Sequence, residues 1–353
     1  MRETKGFGPP LLSFKEDTSI RSVLHAMHSM NITSVPIYRA IENEPSGRIY
    51  LGIVSVYDIL AHLVFQSLFD EMDLDVATFT TNCPEFKTYI SMLEKESEFF
   101  ATPIVKVLGA TKESQEAFML HSQDSLCELA QILGSGKHHV LIIDDDALRA
   151  SANVDGVGPT APPSGSSTRL ISQSDLVRFL YHKRMALHVS DKALDDIWTQ
   201  PVTQIQQTSL SQDNPVQPSY QKPSHKVITV GSTQTALSAY RALYMNRVSA
   251  VAVIDETTGA LVATLSASDL RGLLPSTIET LVEPVFTFLE SKPRLASQLK
   301  ADQMRTVCSE SSMVEATKSM IDACIHRVWV VGENDVPVGV VTLSDVICAF
   351  LPN

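Results

Sequence analysis

One tetrapeptide pattern recurs four times in this chain, and each copy closes the same kind of unit. A hydroxyl residue, two spacers and an aspartate follow an apolar strand at Ser55-Val56-Tyr57-Asp58, Ser172-Gln173-Ser174-Asp175, Ser266-Ala267-Ser268-Asp269 and Thr342-Leu343-Ser344-Asp345. One such tetrapeptide is only a helix-start signature. Four, each ending a helix–strand–strand–helix segment, make an internal repeat, and a repeat fixes architecture before local propensities do. The spacing between copies is unequal, which describes a fourfold module with variable connectors and not a solenoid of fixed period.

The last copy is the most legible. Val328-Trp329-Val330-Val331 is β-branched and aromatic and suits a buried strand. Gly332-Glu333-Asn334-Asp335 is turn chemistry, Val338 to Val341 returns as a second strand, and Thr342 to Asp345 opens a helix. His326 and Arg327 stand just before the first strand. A basic pair and a carboxylate therefore flank one hairpin. That is a plausible grip on a nucleotide, with cations for phosphate and an acceptor for ribose hydroxyls.

The other copies follow the same plan. In the first, residues 11–66, Ile20, Val23, Leu24 and Met27 form one helical face. Val35 to Tyr38 and Ile49 to Val54 read as its strands, with Pro36 at a strand start or edge, and Asp58 to Phe65 as its closing helix. Residues 67–100 read as a connector with a helix and an acidic patch. The second unit, 101–182, begins near Thr102-Pro103-Ile104-Val105. It has a capping box at Ser125–Glu128 and a helical face of Leu126, Leu129, Ala130 and Leu133, ended by Gly134-Ser135-Gly136. His138-His139 precede its first strand. A Gly/Ser/Pro/Ala-rich insert at about 150–168, read as disordered, splits its hairpin. Residues 203–224, rich in Gln, Ser and Pro, read as a linker. The third unit, 225–276, has Ala236, Ala239, Tyr240 and Leu243 on one face, with Asp269, Leu270, Leu273 and Leu274 in its closing helix. Residues 190–202, including Ile197-Trp198 and Pro201-Val202, are its candidate lead-in. The fourth unit, 300–353, has a capping box at Ser312–Glu315.

Composition narrows the function classes. Hydrophobic content of 44% and charged content of 19% describe a well-cored protein. Net charge is −12, with 28 basic against 40 acidic residues, which argues against general DNA or RNA binding while leaving room for a small basic pocket. No apolar run approaches the ~18 residues of a membrane helix. The five cysteines are scattered without a paired-Cys motif and read as free thiols of a reducing compartment. The expected location is cytoplasmic, and nuclear as well. Asp144-Asp145-Asp146 reads as a turn in preference to a metal site. No nucleophile elbow, P-loop or HExxH motif is present, so the chain reads as a non-enzyme.

The unit resembles the cystathionine-β-synthase (CBS) domain, an α/β module of order β-α-β-β-α. His326 to Val331, followed by Gly339 to Val346, carries that resemblance best. It implies four CBS domains paired into two Bateman modules, whose clefts take adenosine nucleotides. Four in a row without a catalytic domain resemble the gamma subunit of AMP-activated protein kinase and its yeast and plant counterparts. By position in the motif, the resemblance puts the ribose on Asp58, Asp175, Asp269 and Asp345. The helix-start hydroxyls are Ser55, Ser172, Ser266, Thr342 and Ser344. The phosphate falls to basic residues before the first strand: His326 and Arg327, His138 and His139, and, two positions earlier in the third unit, Arg247. The first unit has Thr33-Ser34 there and no cation. With neighbours along the chain as partners, the second unit's cations would serve Asp58 or Asp175, and the fourth unit's would serve Asp269 or Asp345.

Two roles compete for every aspartate, because the same motif caps a helix without any ligand. Two functions compete accordingly. One is a regulatory subunit with AMP, ADP or ATP as ligands, no covalent cofactor, and the catalytic and scaffolding subunits of a kinase as partners. The other is a CBS interaction protein of the phosphatase-inhibitor or stress-response type, partnered by phosphatase subunits and holding few or no nucleotide sites.

Overall fold

The computed structural model describes residues 11–41, 48–63, 100–111, 113–115, 117–143, 168–187, 192–204, 227–292 and 305–351. The connector at 67–99, the acidic patch, Asp144–Asp146, residues 150–167 of the insert and the linker from 205 lie outside these residues. Thr168, read as the end of the insert, already belongs to a strand.

Each repeat builds one three-stranded sheet in which a short first strand runs parallel to the middle strand and a hairpin adds the third. In the first repeat these are β1 (Phe14–Lys15), β2 (Ser34–Ala40) and β3 (Arg48–Ser55); in the second, β4 (Met119–His121), β5 (His139–Ile143) and β6 (Thr168–Ser172). The third has β7 (Thr229–Gly231), β8 (Ala250–Ile254) and β9 (Leu261–Ser266); the fourth has β10 (Thr306–Val307), β11 (Arg327–Val331) and β12 (Pro337–Thr342). The crossover from first to middle strand is a helix in every case: α1 (Ile20–Ser29), α3 (Leu126–Gly134), α6 (Ala236–Asn246) and α8 (Met313–Ala323). The closing helices are α2 (Val56–Leu60), α4 (Gln173–Leu187) and α9 (Leu343–Cys348).

The third repeat departs from that plan. Its motif opens only a 3-10 turn, Ala267–Leu270. Arg271 is extended and Gly272 takes a φ of +81°, so Leu273 and Leu274 leave the helix the sequence suggested. Pro36 also differs from expectation. It lies inside β2, the middle strand, where β1 pairs only Ile37 and Tyr38 and Pro36 owes β1 no N–H.

The helical faces read from periodicity are the core. Ile20, Val23, Leu24 and Met27 are buried, as are Ala236, Ala239, Tyr240 and Leu243. Leu126 is the exception at 40% exposed; it is the first residue of α3, ahead of the inward face. Ser125 and Ser312 form the capping boxes expected with Glu128 and Glu315.

The compact units do not follow chain order. One joins the first and third repeats, and the other joins the second and fourth. Two lead-in segments also pack elsewhere than the sequence suggested. Thr102–Val105 docks on the first repeat: Ile20 N–H donates to the Thr102 carbonyl at 3.0 Å and Ile104 N–H to Thr18 at 2.8 Å. Trp198, in α5 (Lys192–Thr199), and Val202 pack in the core of the second and fourth repeats, with Trp198 4.9 Å from the Phe350 ring and Pro201 bridged to Ser312. In both cases the apolar side chains complete a repeat other than the one they precede.

Candidate functional site

The four hairpins place the motif residues in equivalent registers. Ser34 pairs with Ser55, His139 with Ser172, Ala250 with Ser266, and Arg327 with Thr342. The residue after each hydroxyl closes the same backbone bond: Val56 N–H to Thr33, Gln173 to His138, Ala267 to Ser249, and Leu343 to His326. The alignment of basic residues made from the sequence is therefore a structural equivalence. The unit of second and fourth repeats holds a basic residue, His139 or Arg327, opposite each of its motif hydroxyls. The unit of first and third repeats holds serine and alanine there.

Every motif aspartate folds back on its own hydroxyl. Asp345 Oδ2 accepts from Thr342 N–H at 2.9 Å and from its hydroxyl at 2.7 Å, and Asp345 N–H returns a bond to that hydroxyl at 3.3 Å. Asp175 does the same with Ser172, at 2.9, 2.7 and 3.3 Å. Asp269 Oδ2 accepts from Ser266 N–H at 2.6 Å and from its hydroxyl at 2.8 Å. Capping is thus a real role of this motif, and it engages one carboxylate oxygen in each of these three residues.

Asp58 goes further. Its Oδ2 accepts from Ser55, and its Oδ1 accepts the Thr111 hydroxyl at 2.5 Å. Ser114, fully buried, braces the Thr111 turn: its hydroxyl accepts from the N–H groups of Gly109 and Thr111 and donates to the Thr111 carbonyl at 3.1 Å. Asp58 has no exposure at all. Burial pushes its carboxyl above the usual range, against the hydroxyls of Ser55, Thr111 and Ser114, which favour the anion. The segment carrying Thr111 and Ser114 lies so close on β3 that a Cβ at Gly52 would sit 2.6 Å from Leu108 Cδ2 and 2.8 Å from the Ser114 carbonyl. The first repeat's carboxylate is occupied by the chain itself.

The basic residues differ in placement. Arg327 is half-buried at the start of β11, and His326 before it is exposed. His138 and His139 are half-buried, their rings 6.5 Å apart and edge-on. Arg247 is exposed at the left-handed cap of α6, with a φ of +53°. Ser344 has a structural partner: Gln173 Nε2 donates to its hydroxyl at 2.7 Å and to the Leu133 carbonyl at 2.8 Å, tying the second repeat to the fourth. Sequence reasoning missed Thr111, Ser114 and Gln173 as site partners, because none belongs to the motif it meets. Among the described residues no group of three or more His, Cys, Asp or Glu side chains could hold a metal, and no helix is long and apolar enough to cross a membrane.

Comparison with known proteins agrees with the repeat. The CBS domain family model matches residues 7–64 and 296–352. The SNF1-related protein kinase regulatory subunit gamma-like PV42a of Arabidopsis thaliana is 22% identical over 84% of this chain and 74% of its own length. Protein SDS23 of Yarrowia lipolytica is 23% identical over 93% of this chain and 56% of that one. Among solved structures, protein MJ1225 of Methanocaldococcus jannaschii, described as a candidate archaeal homologue of the AMPK gamma subunit, superposes with a TM-score of 0.54 at 17% identity, covering 97% of each chain. The chain carries CBS domains at residues 7–64 and 296–352, and over most of its length it is similar to gamma-like regulatory subunits of SNF1-related protein kinase.

Proposed function

We propose that this protein is a non-catalytic regulatory subunit that binds adenine nucleotides in its CBS clefts and through them modulates a protein kinase of the AMP-activated type. The observation that carries the reading is the unit of second and fourth repeats, where Arg327 and His139 stand cross-strand from Thr342 and Ser172, each hydroxyl coupled to an aspartate. Cation and carboxylate on one hairpin match the two ends of a ribose phosphate. AMP, ADP and ATP would act by differing in affinity for two states of the kinase complex. The name of the Arabidopsis relative supports a kinase partner. Calorimetric titration of the purified protein with each nucleotide tests the binding, and affinity purification with identification of kinase catalytic and scaffolding subunits tests the partner.

A second reading, an interaction protein with few nucleotide sites, is favoured by one observation: Asp58 is filled from within. Recovery of phosphatase subunits in place of kinase subunits, with no nucleotide bound, would establish it.

A further inference from the structure

In the third repeat the residue opposite the motif hydroxyl is Ala250, and Arg247 is exposed at the end of α6. Judged by the positions that carry cations elsewhere, this repeat has an acceptor for a ribose in Asp269 and nothing for a phosphate. The fold supplies a cation from further along the chain. Helix α7 (Val285–Glu290) packs on the third repeat through Val285, Phe288 and Leu289, all fully buried, and is pinned by Val285 N–H donating to the Gln234 carbonyl at 2.7 Å. Lys292 follows this helix and is half-buried. Its ammonium lies 4.8 Å from the centroid of the Phe288 ring.

That ring connects to the motif. Phe288 meets Tyr240 edge-on with centroids 6.0 Å apart, and the Tyr240 hydroxyl donates to the Ser266 carbonyl at 3.3 Å. Ser266 is the residue that holds Asp269 Oδ2. Burial lowers the Lys292 pKa, and the charge that opposes this effect is Asp269. Among the described residues the Lys292 ammonium donates no hydrogen bond and forms no ion pair. An aromatic face attracts a cation but accepts none of its three N–H bonds in the way an oxygen does. A partly desolvated ammonium without an oxygen partner is a group built to receive an anion.

We infer that Lys292 is the phosphate-binding cation of the third repeat, and that with Asp269 it forms a position for the phosphate and ribose of a nucleotide. The inference rests on the nucleotide-binding reading given above and names a residue outside the motif.

The test is titration of the full chain with ATP and with adenosine, with native mass spectrometry counting the nucleotides held. Lys292→Met keeps the apolar stem and removes the charge; Lys292→Arg keeps the charge. Lys292→Met is expected to weaken ATP at one site by ~10-fold or more while adenosine affinity stays unchanged, and Lys292→Arg to restore most of the loss. Asp269→Asn is expected to weaken both ligands at that same site. ATP bound by Lys292→Met with wild-type stoichiometry and affinity would overturn this assignment alone. A wild-type protein that holds no nucleotide would overturn the reading beneath it as well.

Discussion

Arg327 and Thr342 are cross-strand partners at the mouth of the last hairpin, and the Thr342 hydroxyl is bound to Asp345 at 2.7 Å. A cation and a carboxylate thereby stand on either side of one threonine. The same aspartate has two duties, capping and ligand reception, and isosteric substitution separates them. Asparagine retains an oxygen that can accept the Thr342 N–H, so Asp345→Asn should keep the fold, with loss of less than about 1 kcal/mol. Its nucleotide affinity should fall by ~10-fold or more, since a neutral amide accepts a diol far less well than a carboxylate. Calorimetry paired with thermal unfolding reads both effects; equal nucleotide affinity in Asp345→Asn would leave capping as the residue's only role.

Asp58 should behave in the opposite way. With both oxygens bonded inside the chain and no exposure of Asp58, its removal leaves the half-buried donors of Ser55 and Thr111 without that acceptor. Asp58→Ala is expected to destabilise the protein by about 2–4 kcal/mol. The number of nucleotides bound should not change. Urea unfolding and native mass spectrometry check the pair of outcomes, and loss of one bound nucleotide would show that this carboxylate serves a ligand after all.

Gly52 is required by the segment that fills the first repeat. In Gly52→Ala the Leu108 side chain can rotate away, but the Ser114 carbonyl, 2.8 Å from the new methyl group, is backbone. The substitution should cost about 1–3 kcal/mol and loosen the Thr111–Asp58 contact. Faster amide exchange at Thr111 and Ser114 would report that loosening; unchanged exchange and stability would mean the segment yields without strain.

The third repeat carries an acid-sensitive link. Glu256, in the turn after β8, accepts from the Thr233 hydroxyl at 2.6 Å, Thr233 N–H at 2.9 Å and the Ser232 hydroxyl at 3.0 Å. The Thr233 bonds foremost pull its carboxyl down to about 2. A folded-state pKa below the unfolded one contributes stability above the ordinary glutamate value and loses it as pH falls from there toward 2. Glu256→Gln should therefore be less stable than wild type at pH 7, with the difference closing as pH falls through that window. A difference independent of pH would assign the effect to packing and not to charge.

Much of this fold was legible because its signals are local and repeated. The stripe of Ile20, Val23, Leu24 and Met27 marks α1, and the boxes at Ser125 and Ser312 mark the starts of α3 and α8. The register of the hairpins followed from the motif itself, since His139 and Arg327 occupy the positions assigned by alignment. The two-residue strands β1 and β10 are too short to show any periodicity, and only their pairing with β2 and β11 defines them. Which repeats share a compact unit depends on contacts between segments far apart in sequence, so adjacency misled. The filling of Asp58 was hidden for the same reason: Thr111 lies on a segment that, read along the chain, belongs to the next repeat.

In the proposed function, Arg327, the cation opposite the last motif hydroxyl, binds a nucleotide phosphate. Titration of wild type and Arg327→Met with AMP, ADP and ATP tests it most directly, with adenosine as the ligand that lacks a phosphate. Wild type is expected to bind, Arg327→Met to lose ~10-fold or more in affinity for the phosphorylated ligands, and adenosine affinity to change little. Equal affinity of wild type and Arg327→Met for all three nucleotides, or no binding by a folded, nucleotide-free wild type, would contradict it.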